Sequence, residues 1–142
     1  MIRASTRALL GALTLTLSPS CGPTCDDAVP CHDALIIALP LSDPGDYHLS
    51  LHGDFTEVRC ELRLEADGRL GTHECDSDVV HLGAQDDALW LLMFGTPSDV
   101  TLRLERGGAP LLERRLSPDY VDLREGSRGC VSCLQAEIDL TR

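Results

Sequence analysis

The sequence predicts an all-β fold: an immunoglobulin-like antiparallel β-sandwich of about eight short strands, stapled by disulfides. Three observations predict it. Apolar residues alternate with polar ones over short runs, the period of a half-buried strand. Clusters of Gly, Pro, Asp and Ser punctuate those runs at regular spacing. Seven cysteines stand in 142 residues, a density typical of exported, disulfide-stapled domains.

The strands follow from Ala34 onward. Ala34–Leu41 is a compact apolar run that ends at the turn cluster Ser42-Asp43-Pro44-Gly45. In Asp46–His52, Tyr47, Leu49 and Leu51 share one side, with His48, Ser50 and His52 on the other. Val58, Cys60, Leu62 and Leu64 share a face opposite Arg59, Glu61, Arg63 and Glu65. Val79–Leu82 and Ala88–Phe94 are separated by the turn-rich stretch 83–87. Val100, Leu102 and Leu104 alternate with Thr101, Arg103 and Glu105 before turning at Gly107-Gly108. Ala109–Leu116 returns, and Leu134, Ala136, Ile138 and Leu140 close the chain. Leu89–Phe94 has the composition of a buried helix start, but it is short and ends at Gly95-Thr96-Pro97. The motif around Leu62-Arg63-Leu64-Glu65 recurs at Leu102-Arg103-Leu104-Glu105. Two hairpins with inward leucines and outward Arg and Glu account for that echo, because the flanking residues do not match. Aromatic residues are only 4% of the chain, so leucine must fill most of the core.

The N-terminus reads differently. Residues 1–20 have the form of a secretory signal: Arg3 and Arg7 in the n-region, then the apolar stretch Ala8–Leu17, then Ser18-Pro19-Ser20. That stretch is too short to span a bilayer, which needs about 20 apolar residues. Cys21 follows where bacterial lipoproteins carry an acylated cysteine, although Ser18 and Pro19 depart from the preferred Leu and small residue of a lipobox. Residues 21–33 read as a Cys-rich tether and residues 34–142 as the sandwich domain.

If Cys21 carries lipid, six cysteines remain to close three disulfides. Cys60 and Cys75 are expected to pair across a hairpin that turns at Asp67-Gly68. A two-residue loop opposes Cys60 to Cys75 but also Leu70 to Glu65. A three-residue loop with Gly68 left-handed opposes Leu70 to Leu64, and then needs a second bulge near Gly71 to realign the cysteines. For Cys25, Cys31, Cys130 and Cys133 the expectation is local pairing, Cys25 with Cys31 and Cys130 with Cys133. Crossed pairing, which staples the N-terminal segment to the last loop, is the alternative. A redox role for the Cys130–Cys133 CxxC lacks the helix N-terminus that lowers a thiol pKa. A zinc site with Cys25 and Cys31 conflicts with their spacing and with export.

Twelve basic residues, all arginine, face 23 acidic ones for a net charge of -11. That balance argues against nucleic-acid partners and against docking on anionic lipid. Contact with membrane is therefore expected only through the lipid on Cys21. The sequence carries no nucleophile elbow, HExxH, phosphate loop or EF-hand pattern. His48 and His52 lie about 13 Å apart on a strand, too far to share an ion. Asp76-Ser77-Asp78 and Asp86-Asp87 are candidates for weak calcium binding only if they meet at one end of the sandwich. No catalytic residue, metal ligand or cofactor is assigned.

The signal ending in Cys21, Pro44-Gly45-Asp46-Tyr47 leading into a strand, the Cys60/Cys75 hairpin and Ser117-Pro118-Asp119-Tyr120 leading to Cys130-Val131-Ser132-Cys133 together resemble a group of small, uncharacterised lipoproteins of myxobacteria and related lineages. The resemblance implies a β-sandwich and carries no activity. The expectation is a non-enzymatic binding or structural module of the bacterial cell envelope, exported and anchored to the outer membrane. Its partner would be an envelope protein or glycan. A small exported hydrolase, using an acidic or histidine residue at the sandwich edge, is the alternative.

Overall fold

Alternation sets the buried side of the strands at 45–53, 57–64 and 100–106. The computed structural model describes residues 31–54, 56–85, 88–124 and 132–142. These hold ten strands: β1 (Ala34–Leu39), β2 (Gly45–Gly53), β3 (Glu57–Leu64), β4 (Leu70–Cys75), β5 (Val80–Gln85), β6 (Ala88–Phe94), β7 (Val100–Arg106), β8 (Ala109–Leu116), β9 (Val121–Asp122) and β10 (Leu134–Asp139). They form two five-stranded sheets, β5-β6-β1-β10-β9 and β4-β3-β2-β7-β8. The fold is an all-β sandwich. The segment 89–94 is strand β6, not a helix, paired on both sides by β1 and β5.

Leu35, Ile37 and Leu39 of β1 and Leu89, Leu91 and Met93 of β6 form the inner face of the first sheet. Leu49 and Leu51 of β2, Val58 and Leu62 of β3, and Leu102 and Leu104 of β7 join the same core from the second sheet. Burying each of these side chains contributes about 1.5–3 kcal/mol.

The hairpin between β3 and β4 resolves its two possible registers. Gly68 is left-handed (φ 79°) and Leu64 opposes Leu70, so the loop has three residues. A register shift between Leu62 and Leu64 then returns Cys60 opposite Cys75. Their Cα atoms are 4.1 Å apart and the cysteines are bridged. Two bulges compensate, so both leucines and cysteines find their partners.

The other described disulfide corrects an expectation. Cys31 is bonded to Cys133 with Cα atoms 5.8 Å apart, so neither Cys25–Cys31 nor Cys130–Cys133 is a local bridge. The physical reason is the one parallel pair in the molecule's described strands. β1 and β10 run side by side in the same direction, and each cysteine lies just before its strand. The bridge therefore joins the two strands at their shared N-terminal end. Asp33 continues the seam by accepting the Leu134 N–H at 2.8 Å, while its carbonyl accepts the Gly95 N–H. Cys25 and Cys130, like Cys21, the expected signal at residues 1–20 and most of the expected tether at 21–33, lie outside the described residues. The two-residue β9 was too short to show a period in the sequence.

Candidate functional site

Hydrogen-bond register places the outward side chains of each sheet in rows. On the second sheet one row reads Glu74–Glu61–His48–Glu105 across four strands. The next reads Arg59–Ser50–Arg103–Glu113. Ion pairs run between neighbouring rows and strands: Arg59 to Glu57 at 2.7 Å, Arg103 to Glu105 at 2.7 Å and Arg63 to Asp46 at 3.7 Å, and His48 Nδ1 lies 3.8 Å from Glu61. An open depression of about 590 Å³ lies over these rows. Its guanidinium groups already face carboxylates, so it offers a solvated charge lattice.

The outer face of the first sheet is built from different residues. One row reads His81–Leu92–Ile36–Glu137 and the next Gly83–Trp90–Ala38–Asp139. A third carries Phe94, Ala34, Gln135 and Val121. Trp90 lies across Gly83, where a Cβ would run into the indole ring. Phe94 is 36% exposed and Val121 58%. His32 and His81 stand edge-on to the Phe94 ring at 5.5 and 5.3 Å. The centre of this face, Ile36, Trp90 and Leu92, is half-buried and apolar, and Glu137 and Asp139 border it.

A polar cluster at one end of the sandwich contains serine, aspartate and tyrosine, the residue types of hydrolytic sites. Its geometry is that of a clamp. Asp54 accepts the Ser98 N–H at 2.9 Å and also the Ser98 hydroxyl. Asp99 accepts the Ser117 hydroxyl at 2.8 Å and pairs with Arg115 at 3.3 Å. The Tyr120 hydroxyl donates to the Pro97 carbonyl at 3.0 Å. These bonds fasten the β6–β7 and β8–β9 crossings, which pass between the sheets. The hydrogen bonds from Ser98 hold the Asp54 carboxyl below its usual range, and those from Ser117 and Arg115 do the same for Asp99. Burial, and then the Asp54 charge, push Tyr120 up to about 12. Sequence reading missed this cluster because Asp54, Ser98 and Ser117 are far apart in the chain.

The remaining candidates take structural places. Asp76 accepts the Arg59 N–H at 2.9 Å and the Ser77 hydroxyl oxygen accepts the Val79 N–H at 3.4 Å, so this acidic turn caps the β4–β5 crossing. Asp86 and Asp87 lie outside the described residues. Among the described residues no three His, Cys, Asp or Glu side chains are grouped to hold a metal ion. No described helix is long and apolar enough to cross a membrane. The two bridges fit an oxidising, exported environment. No family model matches the chain, and no curated protein or solved structure is similar to it.

Proposed function

We propose that this chain is an exported lipoprotein, anchored to the outer membrane through Cys21, whose β-sandwich is a non-enzymatic binding module of the cell envelope. The observation that carries the binding reading is the contrast between the two outer faces. Five of the six arginines on the second sheet's strands face carboxylates, whereas the first sheet keeps Ile36, Trp90, Leu92 and Phe94 on its outside. The leader ending in Ser18-Pro19-Ser20-Cys21, and an odd cysteine count made even by lipidation, support the anchor. Loss of Arg3 and Arg7 with the leader leaves ten basic residues against 23 acidic, or -13, so the domain stands off an anionic surface. Cys31 lies ten positions after Cys21, which limits the stand-off to roughly 35 Å.

Intact mass and N-terminal peptide analysis of the protein from membranes tests the anchor. The expected result is a mature N-terminus at Cys21 carrying acyl chains. An unmodified Cys21, or an N-terminus elsewhere, overturns it. Assay against a hydrolase substrate panel tests the module: turnover abolished by substituting one histidine or aspartate would replace the binding reading.

A further inference from the structure

A strand with one solvated face alternates, and β2, β3 and β7 do so. A strand covered on both faces is apolar throughout. β1 (ALIIAL) and β6 (ALWLLMF) have that second composition, yet among the described residues only their inner faces meet a partner sheet. The outer stripe is continuous, because register sets Ile36 beside Leu92, and Ala38 beside Trp90.

The formally charged side chains on the strands of this sheet are all acidic. Glu137 stands beside Ile36 and Asp139 beside Ala38. β1, β5, β6, β9 and β10 contain no arginine, while β3, β7 and β8 carry six. Asp139 pairs with Arg142 at 3.0 Å, whereas Glu137 is exposed and has no ion-pair partner among the described residues. A second copy would bring a second acidic border against the first, on a chain whose net charge is -11. The border instead complements a basic one.

We infer that the outer face of the first sheet, centred on Ile36, Trp90 and Leu92 and bordered by Glu137, is the docking surface for a protein segment presenting an apolar ridge flanked by lysine or arginine. This deepens the envelope-module reading and rests on it only for where the partner is met. Failure of the anchor at Cys21 would leave the surface chemistry standing. Failure of the test below would leave the anchor standing.

Trp90 is the chain's single tryptophan and lies within the stripe, so its emission reports occupancy. The probe is an end-capped peptide alternating leucine and lysine, compared with a twin alternating leucine and glutamate. The mature protein is expected to give a saturable blue shift with the lysine peptide and to bind the glutamate peptide at least about tenfold more weakly. Leu92→Asp, with its circular dichroism unchanged, should abolish the shift. Glu137→Lys, at an exposed position that folding tolerates, should invert the preference between the peptides. Glu61→Lys, the same charge change on the opposite outer face, should leave it unaltered. An unmoved Trp90 emission overturns the proposal. So does an equal response to both peptides, or an equal effect of Glu137→Lys and Glu61→Lys, which would reduce the attraction to overall charge. Sedimentation showing dimers of the free protein that Leu92→Asp dissolves would also overturn it, in favour of self-pairing.

Discussion

On the outside of the second sheet, His48 sits between Glu61 and Glu105; on the outside of the first, Ile36 sits between Leu92 and Glu137. Both positions are central in five-stranded sheets and both turn away from the same leucine core. The difference teaches that the core requires nothing of the outer faces. The second sheet covers its face with charge pairs worth about 0–1 kcal/mol each. The first sheet retains half-buried apolar side chains, and covering what is left of their surface is worth roughly 25 cal/mol per Å².

The largest expected effects separate the sheets by their bridges. With Cys25 and Cys130 already replaced by serine, converting Cys31 and Cys133 to serine should cost about 4–5 kcal/mol in chemical denaturation, because a 102-residue separation is released. Converting Cys60 and Cys75 should cost about 3 kcal/mol, for a separation of 15. Equal losses would break the idea that the first sheet depends more on its covalent seam. Non-reducing peptide mapping of the native protein should find Cys25 linked to Cys130, the partners that the other two bridges leave.

Gly83→Val probes the packing of the apolar face. The new side chain would displace the Trp90 ring, and a loss of about 1–3 kcal/mol is expected from the overpacking. Thermal unfolding reads the loss, and a red shift of Trp90 emission reads the displacement. An unchanged emission maximum would show that the indole does not rest on Gly83.

The clamp between the sheets should respond to pH in opposite directions at the two extremes. Tyr120 is raised to about 12 in the folded protein, so the fold holds its proton more tightly than the unfolded chain. That contribution is fully present below its ordinary value near 10 and is lost as pH rises through about 12. Denaturation at stepped alkaline pH should show this slope, and Tyr120→Phe should flatten it. Asp54 and Asp99 are lowered, so their contribution is present above the ordinary carboxylate range and disappears as pH falls through their folded values. Asp99→Asn should reduce the acid sensitivity.

The smallest effect belongs to the charged face. Glu61 and Glu74 stand directly opposite each other, a like-charge pair that costs stability. Glu74→Arg should raise the unfolding free energy from chemical denaturation by about 0.2–1 kcal/mol. A larger gain would show that the lattice is under more repulsion than its exposure implies.

The legible parts of the fold were those with a local cause. Alternation at Leu49/Leu51 and Leu102/Leu104 fixed both the strands and their buried sides. The Asp-Gly turn fixed the β3–β4 hairpin up to one residue of register, and the bulge opposite Arg63 decided the rest. The parallel β1–β10 pair was not legible, because nothing local to Ala34 or Leu134 specifies a neighbour about a hundred residues away. The same long-range closure decides Cys31–Cys133 over the nearer choice. The apolar face was visible as the unbroken runs at 34–39 and 88–94, but an unbroken run does not say whether its second side meets protein or solvent.

The Cys31–Cys133 bridge also sets how the domain carries mechanical load. A pull applied at Cys31 enters the domain where β1 and β10 are bonded side by side. The force passes through sulfur to the last strand and bypasses the residues between, which form a closed covalent loop. With the other end held at Arg142, only the residues after Cys133 can pay out, about 30 Å of chain. β10, gripped at Cys133 and at Arg142, carries that tension along its length, and β1 beside it lies off the load path. The strands inside the covalent loop are spared tension applied at Cys31, and reducing the bridge would open all of them to it.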